Sequence, residues 1–193
     1  MMRYLLCGLD EAGRGPLAGP VCAAAVILPV NFPLDVLDDS KRLSEKKREI
    51  AMRVIYEKAL AWGIGWASNE EIDEINILRA SLLAMERAYV AMNIRADEAI
   101  VDGLHVPNLD IPCRALVKAD SSVAAVMAAS ILAKTARDRM MLRYAWLYPE
   151  YGYEKHKGYP TKMHFERIAH YGCSPIQRLS FRLDKPKQWE LDL

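Results

Sequence analysis

Apolar runs of strand length come first with only turns between them and then alternate with helical stretches. That order restricts the chain to a mixed β-sheet with helices on its faces, an α/β class fold in one domain. Tyr4–Leu9 (YLLCGL) reads as a buried strand, DEAGRGPLAGP as a Gly/Pro-rich turn, and Val21–Leu28 (VCAAAVIL) as a second strand close enough to pair with the first. After the loop NFPLDVLDDSKR, Ser44 suits the N-cap of a helix over SEKKREIAMRVIYEKALAW. Ile64–Ser68 is a short strand, and a helix starts near Glu70 with Ile72, Ile75, Leu78 and Leu82 at helical spacing. Glu98–Val101 and Ala115–Val117 are further strands. Ser122–Tyr144 is a long Ala-rich helix whose small side chains permit close packing on a sheet, and a last helix runs from Thr161 to Tyr171-Gly172.

With 193 residues the chain is long enough to bury a sizeable core. No window reaches the ~18 unbroken apolar residues that a membrane span needs. The N-terminal apolar run breaks at Asp10 without a cleavage site, so neither a span nor a leader is expected. Cys7, Cys22, Cys113 and Cys173 are scattered without a CxxC and read as buried free thiols of a reducing, cytoplasmic protein. The net charge of +1 hides basic runs at Lys41–Arg48, Lys155–Lys162 and Arg178–Lys187 and acidic runs at Asp35–Asp39 and Glu70–Glu74. Such a balance argues against indiscriminate coating of nucleic acid. It leaves room for local phosphate contacts around an acidic centre, or simply for solvated faces.

Acidic residues recur at strand ends. Asp10-Glu11 follows the first strand, Asp102 closes the fourth, and Asp120 lies between the fifth and the long helix. Functional groups of α/β sheets collect outside strand ends. Carboxylates converging there would repel one another, and a hard divalent cation, Mg²⁺ or Mn²⁺, is the usual resolution. The alternative for each is an ordinary turn former or helix cap. Gly13-Arg14-Gly15-Pro16-Leu17-Ala18-Gly19 offers a GxGxxxG pattern. A strand follows it where a dinucleotide site needs a helix, and Asp10 and Glu11 would repel a pyrophosphate.

The motifs GLDEAGRGPLAGPV, LDDSKRLSEKKRE, IDEINILRAS, VDG, KADSS…AASILAKTARDR and YGYEKHKGYPT follow one another along almost the whole chain. In that order they resemble bacterial ribonuclease HII. The resemblance implies the ribonuclease H-like fold, a mixed central sheet flanked by helices with additional C-terminal helices. It implies an endoribonuclease that cuts the RNA strand of RNA–DNA hybrids and DNA duplexes 5′ of an embedded ribonucleotide. The ends left would be a 3′-hydroxyl and a 5′-phosphate, made by two-metal-ion catalysis with Mg²⁺ or Mn²⁺. Asp10, Glu11, Asp102 and Asp120 would be the metal-binding catalytic carboxylates. The Gly13-Arg14-Gly15 loop would read the ribose 2′-hydroxyl, the group that separates RNA from DNA, and Tyr159 would meet the RNA–DNA junction. Ser40 and Lys41 resemble a phosphate-contacting pair, and Asn76 a contact to the DNA strand. The alternatives are packing for Tyr159, a phosphate contact for Arg14, a solvated turn for Ser40 and Lys41, and capping for Asn76. A hybrid-binding module without catalysis is the alternative for the chain, which the presence of all four carboxylates opposes.

Asp138, well along the long helix, reads as structural and paired with an arginine. Val126 and Met127 depart from the family pattern as repacking. IQRLSF stands where a more basic His-Arg-Arg-Ser-Phe pattern is usual, so one basic contact fewer is expected. Residues 1–187 are expected to form the catalytic domain. Gln188–Leu193, with the Q-x-x-L-x-L spacing of peptides that dock into bacterial sliding clamps, is expected to form a tail.

Overall fold

Val21–Ile27 (β2) is buried at every position, which a strand tolerates only when both sheet faces are covered. The computed structural model describes residues 4–38, 40 and 42–183, and it shows the two covers. Val21, Ala23, Ala25 and Ile27 pack with Ile72, Ala80, Ala84, Met85 and Ala88 of one helix, α2 (Asn69–Ala91). The alternate residues Cys22, Ala24 and Val26 pack with Ala51, Met52 and Ile55 of α1 (Glu45–Lys58) and with Ala128, Ala129, Ile131 and Leu132 of α3 (Ala124–Leu147). The period-2 alternation of strand side chains thus sorts one apolar run into two cores.

β2 is antiparallel to β1 (Leu6–Ala12) and to β3 (Ala61–Ala67). β4 (Glu98–Asp102) lies parallel to β1 and β5 (Cys113–Leu116) parallel to β4, giving the order β3-β2-β1-β4-β5. Two short pieces, a 3-10 turn at Pro149–Tyr151 and α4 (Tyr153–His156), precede α5 (Lys162–Tyr171). The helices sit hard on the sheet. A Cβ on Gly65 of β3 would lie 2.0 Å from the Ala84 carbonyl oxygen of α2, and one on Gly8 of β1 would lie 2.1 Å from the Ala125 carbonyl carbon of α3. Glycine under alanine at these crossings lets backbone approach backbone.

Several boundaries differ from the sequence reading. β1 extends through Asp10 and Glu11, because these residues pair with Ala24 and Ala23 of β2; the acidic pair lies inside the strand instead of after it. The first helix ends at Lys58, and β3 begins at Ala61, since β2 offers a ladder back to Ile27. Ser68, read as strand, is the N-cap of α2: its hydroxyl accepts from Glu71 N while the Glu71 carboxylate accepts from Ser68 N. β5 starts earlier than expected because Cys113 pairs with Ala99. The short elements over 149–156 were not expected; a tyrosine-rich stretch with glycine shows no clear period. The N-cap Ser44 stands where expected, and Thr161, read as the start of the last helix, is its N-cap. All four cysteines are free thiols, but only Cys7 and Cys22, inside β1 and β2, are buried as expected; Cys113 on the edge strand β5 is half-buried, and Cys173, past the end of α5, is exposed. Among the described residues no helix is long and apolar enough to cross a membrane.

Candidate active site

Parallel pairing of β1 with β4 ends at Leu9 opposite Val101, so Asp10 and Asp102 come next, side by side, at one end of the sheet. Asp120 arrives from the 3-10 turn Ala119–Ser121 between β5 and α3. Lys118 enters this turn at φ 61°, in the left-handed region, and the Ala119 N–H donates to Asp102 Oδ1 at 2.8 Å. Turn and strand are thereby tied together. One carboxylate oxygen from each of Asp10, Asp102 and Asp120 falls within 4.8 Å of the others.

Asp10 is buried, with its Oδ1 accepting from Glu11 N at 2.7 Å. Burial, then the charge of Glu11, hold its carboxyl well above the usual carboxylate range; Asp102 adds to this, while hydrogen bonds from Glu11 N and the Ser130 hydroxyl oppose it. A crowded carboxylate cluster with one buried and two half-buried members is unfavourable without a cation. Its donors are hard oxygens with no His or Cys among them, the set that suits Mg²⁺ or Mn²⁺. The residues present therefore fit a divalent metal. Glu11 stands beside the trio, lines the same cleft, and has Oε1 3.6 Å from Arg14 Nη1.

The cleft is walled by Gly13, Arg14, Gly15, Ser40 and Tyr159, together with Ser130 and Lys134 of α3. The Tyr159 ring has the Lys134 ammonium 5.6 Å and the Arg137 guanidinium 5.8 Å from its centroid. A Cβ on Gly15 would lie 3.8 Å from that ring. The loop bearing Tyr159 is fastened from below. His164 Nδ1 donates to the Tyr159 carbonyl at 3.0 Å, the Gly158 N–H donates to His156 Nδ1 at 3.2 Å, and His156 Nε2 donates to the Tyr151 carbonyl at 2.9 Å. Burial, then the neighbouring His156, push the His164 imidazole down to about 4.

Ser40 is buried, its hydroxyl 2.7 Å from that of Ser130. Arg48 of α1 holds the Ser40 backbone by donating to its carbonyl at 3.0 Å. Asp138 accepts from Lys134 Nζ at 2.8 Å and lies 3.7 Å from Arg48 Nη2, so it is paired as expected and orients a cleft lysine. Ser130 and Lys134 went unread in the sequence. Their signal was the polar interruption of an Ala-rich helix at i and i+4, one face of a helix.

Other expected site residues lie elsewhere. Asn76 is in a separate hollow with Asp73, Arg79 and Phe181. Its backbone (φ 68°) breaks α2, and its Oδ1 accepts from Leu78 N at 3.0 Å and Arg79 N at 3.2 Å, capping the second half of the helix. Lys41 and the tail Gln188–Leu193 fall outside the described residues. The basic run beginning at Arg178 does not start on the surface: Arg178 is fully buried and spends its donors on the backbone of the glycine-rich loop.

The family model of Ribonuclease HII matches residues 7–184. A Ribonuclease HII of Treponema denticola is 61% identical over 193 residues, which cover 92% of this chain and 98% of that protein. Among solved structures, the ribonuclease H2 of Pyrococcus horikoshii OT3 superposes with a TM-score of 0.76 at 27% identity, covering 93% of this chain and 95% of that one. The RNase HII of Archaeoglobus fulgidus, solved in complex with PCNA, superposes with a TM-score of 0.74 at 25% identity over 97% of this chain and 100% of that one.

Proposed function

Since this chain belongs to the ribonuclease HII family, a family of metal-dependent endoribonucleases with the ribonuclease H-like fold, we propose that it cuts DNA duplexes on the 5′ side of an embedded ribonucleotide, as well as the RNA strand of RNA–DNA hybrids. The observation that carries this reading is the meeting of Asp10, Asp102 and Asp120 within 4.8 Å at a cleft that the Gly13-Arg14-Gly15 loop also lines. Reaction chemistry and ribose recognition thus share one hollow.

Asp10, Asp102 and Asp120, with Glu11 at the rim, would hold Mg²⁺ or Mn²⁺. Bound there, such cations supply an activated water and neutralise charge on the phosphate and the leaving 3′-oxygen. The chain's own residues do the rest. Burial of Asp10 and its hydrogen bond from Glu11 N keep one carboxylate oxygen in a single orientation. Lys134, fixed by Asp138, adds positive charge beside the phosphate path. Arg14, exposed on the loop, is placed for a neighbouring phosphate, and Ser40 for another. Backbone N–H groups of the loop meet the 2′-hydroxyl, and Gly13, at φ 101°, supplies the turn that presents them. Tyr159 presents its ring to the sugar at the junction. Products would carry a 3′-hydroxyl and a 5′-phosphate.

The test is gel analysis of a duplex with one internal ribonucleotide, incubated in Mg²⁺, Mn²⁺ or EDTA beside an all-DNA control. Metal-dependent cleavage directly 5′ of the ribonucleotide, with the control intact, is expected. Cleavage on its 3′ side, or cutting of the control, overturns the reading. Residues 1–187 act as the catalytic unit in this proposal, and Gln188–Leu193 docks on a sliding clamp. The Archaeoglobus protein solved with PCNA supports the latter by analogy. Deleting 188–193 is expected to abolish binding to a bacterial sliding clamp and to leave cleavage of naked duplex unchanged.

A further inference from the structure

We infer that Arg178, far from the carboxylates in sequence, is the positioning residue for ribose recognition. The inference rests on the reading of the Gly13-Arg14-Gly15 loop as the 2′-hydroxyl contact. Arg178 is completely buried. Its Nη2 donates to the Gly13 carbonyl at 2.6 Å, its Nη1 to those of Arg14 at 3.0 Å and Pro16 at 2.8 Å, and its Nε to that of Gly19 at 2.8 Å. Its backbone N–H adds a bond to the Leu17 carbonyl at 2.9 Å. A guanidinium presents its donors in one rigid plane, so these acceptors are fixed relative to one another as a template fixes them.

Peptide planarity carries the consequence to the cleft. Among the described residues there are no cis bonds, and in a trans peptide the N–H of each residue points opposite to the carbonyl before it. With the Gly13 and Arg14 carbonyls turned inward to Arg178, the N–H groups of Arg14 and Gly15 turn outward, where both residues are exposed. Arg178 therefore chooses which face of these peptides the substrate meets: two donors instead of two acceptors.

A second buried guanidinium completes the clamp. Arg137 of α3 donates to the carbonyls of Pro20 at 3.0 Å, Lys157 at 3.1 Å and Ala18 at 3.2 Å, joining this loop to the one that carries Tyr159. Arg178 in turn is held from the surface. Asp73 of α2 accepts from Leu179 N at 2.8 Å, from Ser180 N at 2.9 Å and from the Ser180 hydroxyl at 2.6 Å, pinning the backbone just after it.

The experiment is steady-state cleavage by the full-length, metal-loaded protein. It measures KM for a duplex with one ribonucleotide and the inhibition constant Ki of the all-DNA duplex of the same sequence. For the wild type, KM is expected to lie well below Ki. Arg178→Lys keeps the charge but cannot bridge the carbonyls; it is expected to raise KM about tenfold, the worth of one ordinary hydrogen bond, with Ki unchanged. Ile55→Ala, a core truncation remote from the loop, is expected to soften the fold and preserve the ratio. Where Arg178→Lys does not fold, Asp73→Ala loosens the same segment from the surface and is expected to raise KM about threefold. A folded Arg178→Lys or Asp73→Ala with the wild-type ratio overturns the role of Arg178 and leaves the loop reading standing. Loss of the ratio in Ile55→Ala also overturns it, by showing general softness. A wild type that binds both duplexes alike overturns the loop reading, and this inference with it.

Discussion

Leu9 and Val101 face each other across the last rung of the parallel β1–β4 ladder, and the residue after each is an aspartate. Two carboxylates that are far apart in the chain are thereby placed next to each other by backbone hydrogen bonds alone. The tie from Ala119 N to Asp102 then brings in Asp120.

Asp10→Asn is expected to lower kcat by roughly a thousandfold or more, several kcal/mol of lost stabilisation at the reacting phosphate. Duplex binding is expected to survive. Because the substitution relieves repulsion in a buried cluster, the variant should melt several degrees above the wild type in EDTA, for about 1 kcal/mol gained. Added Mn²⁺ should stabilise the wild type more than the variant. Wild-type turnover in Asp10→Asn would refute its place in the chemistry.

Tyr159→Ala is expected to cut a duplex with a single ribonucleotide about tenfold less efficiently, the scale of one lost stacking contact. A continuous hybrid should suffer less, and Tyr159→Phe should keep most of the activity if the ring is the working part. Equal losses on both substrates would mean that the residue only supports the loop.

Gly65→Ala places a methyl group 2.0 Å from the Ala84 carbonyl oxygen, so α2 must lift from the sheet. A loss of about 3 kcal/mol is expected, read as a lower urea midpoint at unchanged slope. A variant as stable as the wild type would show that the contact between β3 and α2 is looser than described.

His164 ties stability to pH. Its folded-state pKa is depressed, from an ordinary 6.5 to about 4, by burial and by the stacked His156 ring 4.4 Å away. The unfolded chain therefore takes up a proton first as pH falls. Its contribution is complete above about pH 6.5 and is lost progressively toward pH 4, about 2 kcal/mol between pH 7 and pH 5. Asp10, whose carboxyl is raised, acts in the opposite sense over this range. The informative quantity is thus the wild type minus His164→Gln, by urea titration at both pH values. A difference independent of pH would mean that this imidazole stays as accessible to protons as in the unfolded chain.

Much of the site was legible residue by residue. Asp10, Asp102 and Asp120 end or follow apolar runs, and glycines at 13 and 15 mark a loop that something approaches closely. At Asn76 local reading leaves two roles open, and its Oδ1 fills the capping one by accepting from Leu78 N and Arg79 N at the break in α2. Ser130 and Lys134 were hidden in a helix that reads as a packing surface. Arg178 was misjudged, since a basic run looks the same whether its first member faces solvent or interior.

Periodicity, capping and motif order are local properties of the chain, and they suffice for the class of fold, most of the elements, the cap at Ser44 and the family. The strand order, the extension of β1 through Asp10 and Glu11, and the burial of Arg137 and Arg178 beneath the glycine-rich loop emerge on folding. Those outcomes depend on partners distant in the chain. Whether a carboxylate meets another carboxylate, or a guanidinium meets water or, as in Arg137 and Arg178, three or four carbonyls, is set by which backbone the rest of the molecule brings beside it.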